Sequence, residues 1–456
     1  MRSNPHRIGA NQNIRYGLGR GKQDGGHADF HFFGRGQQHV RWPRPRPRVP
    51  IPASVMARGR CEGLTGISMR RLAVACTGAV LLGFPIGAAA ENRVPFLVEA
   101  CTAPCAGYEV SAELQNDWVF AADPSFLKSD ELGPTITVDL FLAPTDNFRF
   151  DASIITEEVV EPEAGENAVF QGIGTYLAEL YTTVNAGPAT IRAGKFDTIF
   201  SLASEVAPGI NATELVSDID ADERLGAEVL LDFGGLGMEQ ALAATAFTTD
   251  RSVLSDSLFT RRGRTRLSDG GAGNTDGLSS FSIALDGCRG SEPIDCYLEG
   301  DFGYRLGIRY QAAGAQSGED PEDSPGDELA YLAAATTSLE LDDMTLRLLG
   351  ETAYLRHFDG GSDDALLLTG SAALELQPVT YVASYTQQLN LVAGEPDTRE
   401  HLADFEAIYE PGEGTSFEGW EFAAAYTVAR DADETAHIFS VRAVFNFDGD
   451  VELAPQ

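Results

Sequence analysis

The feature that most constrains the fold is an alternation of apolar and polar residues that recurs from about residue 106 onward. Successive side chains of a β-strand point to opposite faces, so this period predicts strands with one apolar and one polar face. We count sixteen such segments. Several exceed the ~5–6 residues usual in soluble strands and approach the ~9–11 that cross a bilayer at a tilt. The predicted spans are 106–120, 134–143, 147–157, 169–184, 188–198, 222–233, 236–248, 277–286, 297–313, 327–341, 343–357, 363–377, 379–390, 401–410, 416–429 and 434–447.

Segment 297–313 shows the pattern most clearly. Its predicted apolar face comprises Leu298, Phe302, Tyr304, Leu306, Ile308 and Tyr310. Its predicted polar face comprises Glu299, Asp301, Arg305, Arg309 and Gln311.

The connections between the segments alternate in length. Long connections cover 121–133, 158–168, 199–221, 249–276 and 314–326, whereas the turns near residues 145, 186, 235 and 342 are short. Outer-membrane barrels have long extracellular loops and short periplasmic turns. An even number of strands then places both barrel ends in the periplasm, with the connection between Cys288 and Cys296 as the one longer turn there. A soluble β-sandwich or β-helix, the alternative fold, predicts neither this alternation nor so many consecutive hairpins.

A sheet in lipid must close on itself, because every backbone N–H and C=O needs a partner within the protein. Sixteen strands enclose a lumen too wide to fill with side chains, so water enters and a pore results. We therefore predict an all-β fold, a closed antiparallel transmembrane β-barrel of about 16 strands over 106–447, surrounded by lipid of a Gram-negative outer membrane. Aromatic residues near the strand ends are predicted to form interfacial girdles. They are Trp118, Phe120, Tyr176, Tyr181, Tyr381, Tyr385, Tyr409 and Phe447.

The chain before the barrel is predicted to be a leader. Residues 69–90 read as a secretory signal peptide, with the positive start Met69-Arg70-Arg71, an apolar stretch and three alanines before Glu91. Residues 91–105 are then a periplasmic N-terminal segment, and 448–456 a C-terminal tail. Residues 1–68, rich in Arg, Gly, Pro and His, are predicted to be a mis-called N-terminal extension or a disordered leader. The alternative, a basic nucleic-acid arm, would be removed together with the signal peptide.

The charge of the remaining chain is strongly negative. Of the 33 Lys and Arg residues, 14 lie in residues 1–90, which leaves 19; of the 68 Asp and Glu residues, 3 lie there, which leaves 65. Such a surface repels nucleic acid and suits either a cation-attracting lumen or an exterior that holds divalent cations.

Four cysteines follow residue 90, in two close pairs. Cys101 with Cys105 and Cys288 with Cys296 are predicted disulfides of an exported chain. No metal site and no cofactor are predicted, since a metal needs convergent ligands and only three histidines follow residue 90. None of these three histidines has a nucleophilic residue at a spacing typical of a catalytic motif, so no enzyme is predicted. They are His357, His401 and His437. A barrel hydrolase of the outer-membrane phospholipase kind is the catalytic alternative.

Two stretches resemble known barrels. Ala193-Gly194-Lys195-Phe196 followed by Ala207-Pro208-Gly209-Ile210 resembles the strand-five and loop-three region of porin-like barrels, and residues 260–271 resemble a block in a poorly characterised porin-like group. With the strand pattern, the likeness covers about 101–447. It implies passive diffusion of small hydrophilic solutes or ions across the outer membrane, often by a homotrimer. A non-conducting barrel with an anchoring, adhesive or structural role is the alternative.

The resemblance also implies insertion by the barrel-assembly machinery, which reads a terminal Phe in porins. Here Phe447 would have that role, although the chain continues to Gln456.

In sixteen-stranded porins the third long loop often folds into the lumen. Here that loop is 199–221, and its first half is apolar, which favours a packed, inward position over an ordinary capping loop. Charges of opposite sign in such a constriction set ion selectivity. The predicted acidic side is Glu205, Asp218, Asp220 and Asp222, and the predicted pore-lining basic side is Arg192, Arg224, Arg305, Arg309, Arg347 and Arg442. The alternative is that these residues merely solvate the lumen.

The fourth long loop carries four arginines within six residues. They are Arg261, Arg262, Arg264 and Arg266. One interpretation is recognition of a phosphate or another anion, to which the guanidinium fork is suited. The other is pairing with acidic lipopolysaccharide groups or with neighbouring acidic loops.

Overall fold

A computed structural model describes residues 103–453 apart from 161, 163–164, 218, 292, 294–295, 315–325, 342, 393–396, 413–414 and 432–433. The predicted extension 1–68 and signal peptide 69–90 therefore lie outside the described residues, as do Cys101 and Asp218.

Sixteen long strands, β1 to β16, form one antiparallel sheet in which each strand pairs with the next along the chain. The first strand also pairs with the last, with Val110 opposite Phe447 and Ala112 opposite Phe445, so the sheet is a closed barrel. All sixteen predicted segments overlap a strand. In order, the strands are Cys105–Asp123, Asp130–Thr145, Phe148–Glu158, Ile173–Ala186, Ala189–Phe196, Arg224–Gly235, Met238–Thr249, Ser280–Arg289, Phe302–Gln311, Glu328–Leu341, Met344–Arg356, Asp364–Leu376, Val379–Leu391, Thr398–Tyr409, Trp420–Asp431 and Glu434–Glu452.

The other elements are short and lie in the connections. Two two-residue strands, Ala168–Val169 and Leu258–Phe259, add to the sheet from the loops. The α-helical turns are Ala203–Val206, Glu214–Ser217 and Cys296–Glu299. The 3-10 turns are Ser125–Leu127, Val253–Ser255, Leu267–Asp269 and Phe358–Gly360. Among the described residues, no helix is long and apolar enough to span a membrane.

The outer surface of the barrel is apolar. On β1, Leu114 is 44% and Trp118 51% exposed, and both point away from the lumen. On β16, the exposed Phe439 and Val441 flank the fully buried Ser440. Apolar side chains on this scale are stable facing lipid rather than water. A closed sheet with this exterior is the form in which β-proteins cross the outer membrane.

The alternation of connection lengths defines the two ends of the barrel. The connections at 159–172, 197–223, 250–279 and 312–327 share one end, called here the loop end. The opposite, turn end carries tight turns such as Leu236-Gly237, where both residues adopt positive φ as a type I′ hairpin turn requires. The turn end has a second longer connection besides the predicted one between Cys288 and Cys296, namely 410–419.

The prediction for segment 297–313 is wrong at its start. Residues Cys296–Glu299 form a helical turn, closed by a hydrogen bond from the Gly300 N–H to the Cys296 carbonyl, and β9 begins only at Phe302. Leu298 and Glu299 therefore do not extend the two faces of that strand. The alternation there is accidental, because the disulfide described below fixes a compact turn where the period predicts an extended chain.

The girdle prediction is wrong for Tyr176 and Tyr181. Both side chains are buried, at 3% and 2% exposure, and face the lumen. Between β3 and β4, Ser153 pairs with Glu179 and Ile154 with Leu177, so one residue of β4 bulges out of register. A bulge shifts the faces of a strand by one residue, which places two tyrosines of opposite parity on the same side.

The last strand continues beyond the predicted end at residue 447. Gly449 pairs with Tyr108 and Asp450 with Gly107, because the first strand begins at Cys105 and offers backbone partners there. Most of the predicted tail therefore belongs to the barrel wall.

Candidate functional site: the lumen and its inner loop

The connection from β5 to β6, residues 197–223 and here called the inner loop, enters the lumen and is held by the wall strand β11. The Ser201 Oγ donates to Glu351 Oε1 at 2.7 Å. The backbone N–H groups of Leu202 and Ala203 donate to Glu351 Oε2 at 2.7 and 2.9 Å. One buried carboxylate thus accepts three hydrogen bonds and fixes the start of the loop.

The far half of the inner loop reaches the other side of the barrel. The Ser384 Oγ on β13 donates to the Pro208 carbonyl at 2.8 Å. The Asn211 Nδ2 lies 2.8 Å from the Thr427 Oγ1 on β15 and 3.1 Å from the Ser440 Oγ on β16. The inner loop therefore crosses the lumen from β5 and β6 to β16 rather than covering its mouth.

Gly209 permits the closest approach of the loop to the wall. Its φ of 122° is one that residues with a Cβ rarely adopt, and a Cβ there would lie 2.5 Å from the Asp404 Oδ2. Next to it, Ile210 packs with Val382 and Ile408 of the wall. A side chain at position 209 would push the loop away from this contact.

Two of the four predicted acidic residues of the constriction hold the inner loop. The Glu205 Oε1 lies 3.0 Å from the Arg305 Nη1, and the Asp220 Oδ1 accepts the Ser201 N–H at 3.1 Å. Burial raises the pKa of the Asp220 carboxyl well above its ordinary value, and the nearby Asp222 acts in the same direction. Asp218 lies outside the described residues. The structure thus places Glu205 and Asp220 at the inner loop's contacts with the wall and with itself.

The six predicted pore-lining arginines all face inward, and each has a partner there. Five form ion pairs with wall carboxylates, and Arg224 donates to the Thr249 Oγ1. The pairs and their N···O distances are Arg192–Glu228 2.8 Å, Arg305–Asp286 2.7 Å, Arg309–Glu328 2.7 Å, Arg347–Glu375 2.6 Å and Arg442–Glu421 2.7 Å. Because each guanidinium of these pairs is close to a carboxylate, the basic side of the lumen is largely neutralised.

Sequence reasoning missed the carboxylates that line the opposite wall. Strands β1 and β2 direct five acidic side chains inward, here called the acidic wall. They are Glu109, Glu113, Asp117, Glu131 and Asp139. Glu113, Asp117, Glu131 and Asp139 are half-buried, whereas wall residues beneath the inner loop, such as Thr427 and Ser440, are fully buried. The signal was present, since 109, 113 and 117 share one face of the first predicted strand.

The carboxylates of the acidic wall are spread along two strands rather than gathered around one point. Within the part of the chain that the structure describes, no three His, Cys, Asp or Glu side chains converge as a metal ion would require.

The arginines of the fourth long loop, residues 250–279, differ in their contacts. The Arg262 Nη2 lies 2.7 Å from both carboxylate oxygens of Glu223, and its guanidinium stacks 3.9 Å over the Tyr176 ring. Arg262 therefore binds the end of the inner loop, a neighbouring acidic segment. The side chains of Arg261, Arg264 and Arg266 remain exposed, although the Arg264 Nε donates to the Arg251 carbonyl at 2.6 Å.

Two of the three histidines are on the outer face of the barrel. The His401 Nδ1 is hydrogen-bonded to the Tyr385 hydroxyl at 2.6 Å, and the His437 Nδ1 to the Tyr426 hydroxyl at 2.8 Å. Both tyrosines are exposed on that face. These imidazoles are thus directed to the lipid side rather than to the lumen.

No protein-family model matches the chain, and no curated protein matches its sequence. Solved structures with a similar fold include OmpT of Vibrio cholerae with loop L8 deleted, at 12% identity and a TM-score of 0.45, covering 75% of this chain and 99% of that one. The outer membrane protein OpdK of Pseudomonas aeruginosa has 9% identity, a TM-score of 0.45 and the same coverages. The outer membrane channel DcaP of Acinetobacter baumannii has 10% identity and a TM-score of 0.42, with 75% and 96% covered.

The chain is a closed sixteen-stranded antiparallel β-barrel of porin-like architecture. A closed sheet with an apolar exterior is what a β-protein needs in order to cross an outer membrane. The inner loop, which is the third long loop, crosses the lumen and so narrows it.

Proposed function

We propose that this barrel is a channel for passive diffusion of small hydrophilic ions and solutes, with a preference for cations. One observation carries the proposal: the inner loop is fixed against the wall from β11 to β16, while four of the five acidic-wall side chains on β1 and β2 are only half-buried. The route for solutes therefore runs between the inner loop and the acidic wall.

The preference for cations follows from the balance of charge along this route. Five of the six inward arginines form ion pairs with wall carboxylates, so these five add little net positive potential. The acidic wall then sets the sign of the field, and a narrow lumen with low-dielectric walls concentrates the counter-ion. The excess of acidic over basic residues in the whole chain, with a net charge of -35, acts in the same direction.

A non-conducting barrel with an anchoring or adhesive role is the alternative. It is favoured by the amount of lumen that the inner loop occupies. Recording of the purified protein in a planar bilayer separates the two functions, because a channel gives stepwise currents and an anchor gives none at any voltage.

Replacing Glu113 with lysine should shift the channel towards anions. Glu113 belongs to the acidic wall and is half-buried. A change of two charges within several ångströms of the route should lower the cation-to-anion permeability ratio by roughly tenfold at low salt. The ratio is measured from the reversal potential in a salt gradient, and Glu113→Gln should lie between the two.

Asp276→Lys is the matched control for this test. It makes the same change of charge on a side chain that is 90% exposed in the fourth long loop, so the permeability ratio should hardly move. A Glu113→Lys channel that keeps the wild-type reversal potential would show that ions do not pass the acidic wall.

We also propose that the barrel is inserted by the barrel-assembly machinery and acts as a homotrimer in contact with lipopolysaccharide. The exposed Arg261, Arg264 and Arg266 are the residues available for such an anionic contact.

A further inference from the structure

The connection between β8 and β9 covers residues 290–301 and is here called the disulfide turn. Its described residues from Cys296 onward fold into the barrel rather than away from it. A disulfide joins Cys288 at the end of β8 to Cys296 in the helical turn Cys296–Glu299. The Cys296 Sγ lies so close to the inward face of Gly303 on β9 that a Cβ there would be 2.6 Å away. The helical turn is thus packed directly on the inner wall.

This placement brings Tyr297 beneath the inner loop. The Tyr297 side chain is 5% exposed and packs in one apolar cluster with four small residues of the inner loop and with Leu349 of β11. The buried inner-loop members are Ala203, Ala207, Ala212 and Val216, and the partly buried Leu202 and Val206 pack against them. The Tyr297 carbonyl accepts the Arg347 Nη1 at 3.1 Å, and Arg347 is itself fixed by Glu375 at 2.6 Å.

We infer that Tyr297 is a positioning residue for the constriction and that the disulfide turn is a floor on which the inner loop rests. The polar contacts of Glu351 hold only the start of the loop. Three of the four buried loop residues in this cluster are alanines, which bury little surface by themselves. Tyr297 is the one aromatic side chain among the buried members of this cluster, and the middle of the loop packs against its ring.

The disulfide explains how a connection at the turn end of the barrel can support the inner loop from below. Cys288 and Cys296 are eight residues apart, and their bond closes a short loop that directs Tyr297 inward. Without the bond the turn has more conformations available, and the ring is held less firmly against the inner loop. The consequence for conduction rests on the proposed function, whereas the contact itself does not.

A labelling experiment tests the contact without reference to conduction. Ala207→Cys places a thiol on the inner loop at a residue that is 2% exposed, and Cys105, Cys288 and Cys296 do not compete because they are disulfide-bonded. Adding Tyr297→Ala should speed maleimide labelling by at least about tenfold, since loss of a packed ring favours local opening. Tyr297→Phe, which keeps the ring, should restore the slow rate.

Removing the disulfide should have the same effect with the ring in place. Cys288→Ser with Cys296→Ser should speed labelling of the Ala207→Cys thiol, whereas serines at Cys101 and Cys105 should not. Unchanged labelling in both the tyrosine and the cysteine variants would overturn the inference. Heat-modifiable mobility on gels shows for each variant that the barrel itself has formed.

Bilayer recordings then connect the contact to the channel. Tyr297→Ala should give larger and noisier single-channel currents than Tyr297→Phe, because the inner loop is free to move. If no variant and no wild-type protein conducts, the proposed function fails while the labelling result stands. If all conduct identically although labelling differs, the floor does not set the constriction and that part of the inference is wrong.

Discussion

Channels in which Glu351 is replaced by alanine should carry larger currents that switch frequently between levels. The Glu351 carboxylate accepts three hydrogen bonds from Ser201, Leu202 and Ala203, which are the first contacts of the inner loop inside the lumen. Hydrogen bonds to a charged group contribute about 1.5–3 kcal/mol each, although such values do not add simply. Loss of all three should undock the start of the loop and widen the route.

The measurement is single-channel conductance at fixed voltage, together with the exclusion limit for uncharged sugars of increasing size. Glu340→Ala is the matched control, since it removes an exposed carboxylate near the turn end of β10. The barrel should still form in both variants, because its strand ladder involves backbone groups alone. Wild-type current levels and wild-type exclusion limit in Glu351→Ala would contradict the role given to this clamp.

The strands were predictable because their signal is local. Alternation with period two depends only on which face of one strand meets lipid, so it can be read without knowing the neighbour. This is why all sixteen strands and the inward direction of Arg305 and Arg309 follow from the sequence. The same logic failed at β4, where the bulge beside Ala178 reverses the faces, because a bulge leaves no mark in a short alternating run.

The charge balance of the lumen was not predictable, since it depends on register between strands. Arg305 lies directly opposite Asp286, and this pairing is fixed by the turn and by bulges that set which residues meet. The sequence alone predicts that the six arginines line one side of the lumen and face the acidic residues of the inner loop. In the structure five of the six arginines form ion pairs with wall carboxylates, and the acidic wall lies on β1 and β2.

The sequence predicted that the inner loop folds into the lumen, but not which wall residues it contacts. Its apolar first half indicates burial, but its partners Glu351 and Ser440 follow it by well over a hundred residues. Such contacts depend on closure of the whole barrel. The position of the disulfide turn beneath the inner loop was not predictable for a similar reason. The alternating pattern of residues 297–301 fits a continuing strand as well as it fits a turn that folds inward.

Replacing Arg309 with methionine should strongly destabilise the protein. Arg309 is 1% exposed, and its Nη2 lies 2.7 Å from the Glu328 Oε1 while its guanidinium stacks 4.6 Å over the Phe200 ring. It also donates to the Ile219 carbonyl, so it joins both ends of the inner loop to the wall. Removing one member of a buried pair typically costs about 3–5 kcal/mol, because the other charge is left uncompensated.

A double-mutant cycle with Glu328→Gln separates the pair from the packing. If the uncompensated carboxylate causes the loss, Arg309→Met combined with Glu328→Gln should be more stable than Arg309→Met alone. Unfolding in urea from lipid vesicles is followed by fluorescence of Trp118 and Trp420, which are exposed on the lipid-facing surface. Arg289→Met is the matched control: its partner Asp301 is 3.9 Å away and both side chains are mostly exposed, so stability should change little. Equal losses for Arg309→Met and Arg289→Met would mean that the lumen screens its charges as well as bulk water does, and the neutralised basic side would then have no energetic basis.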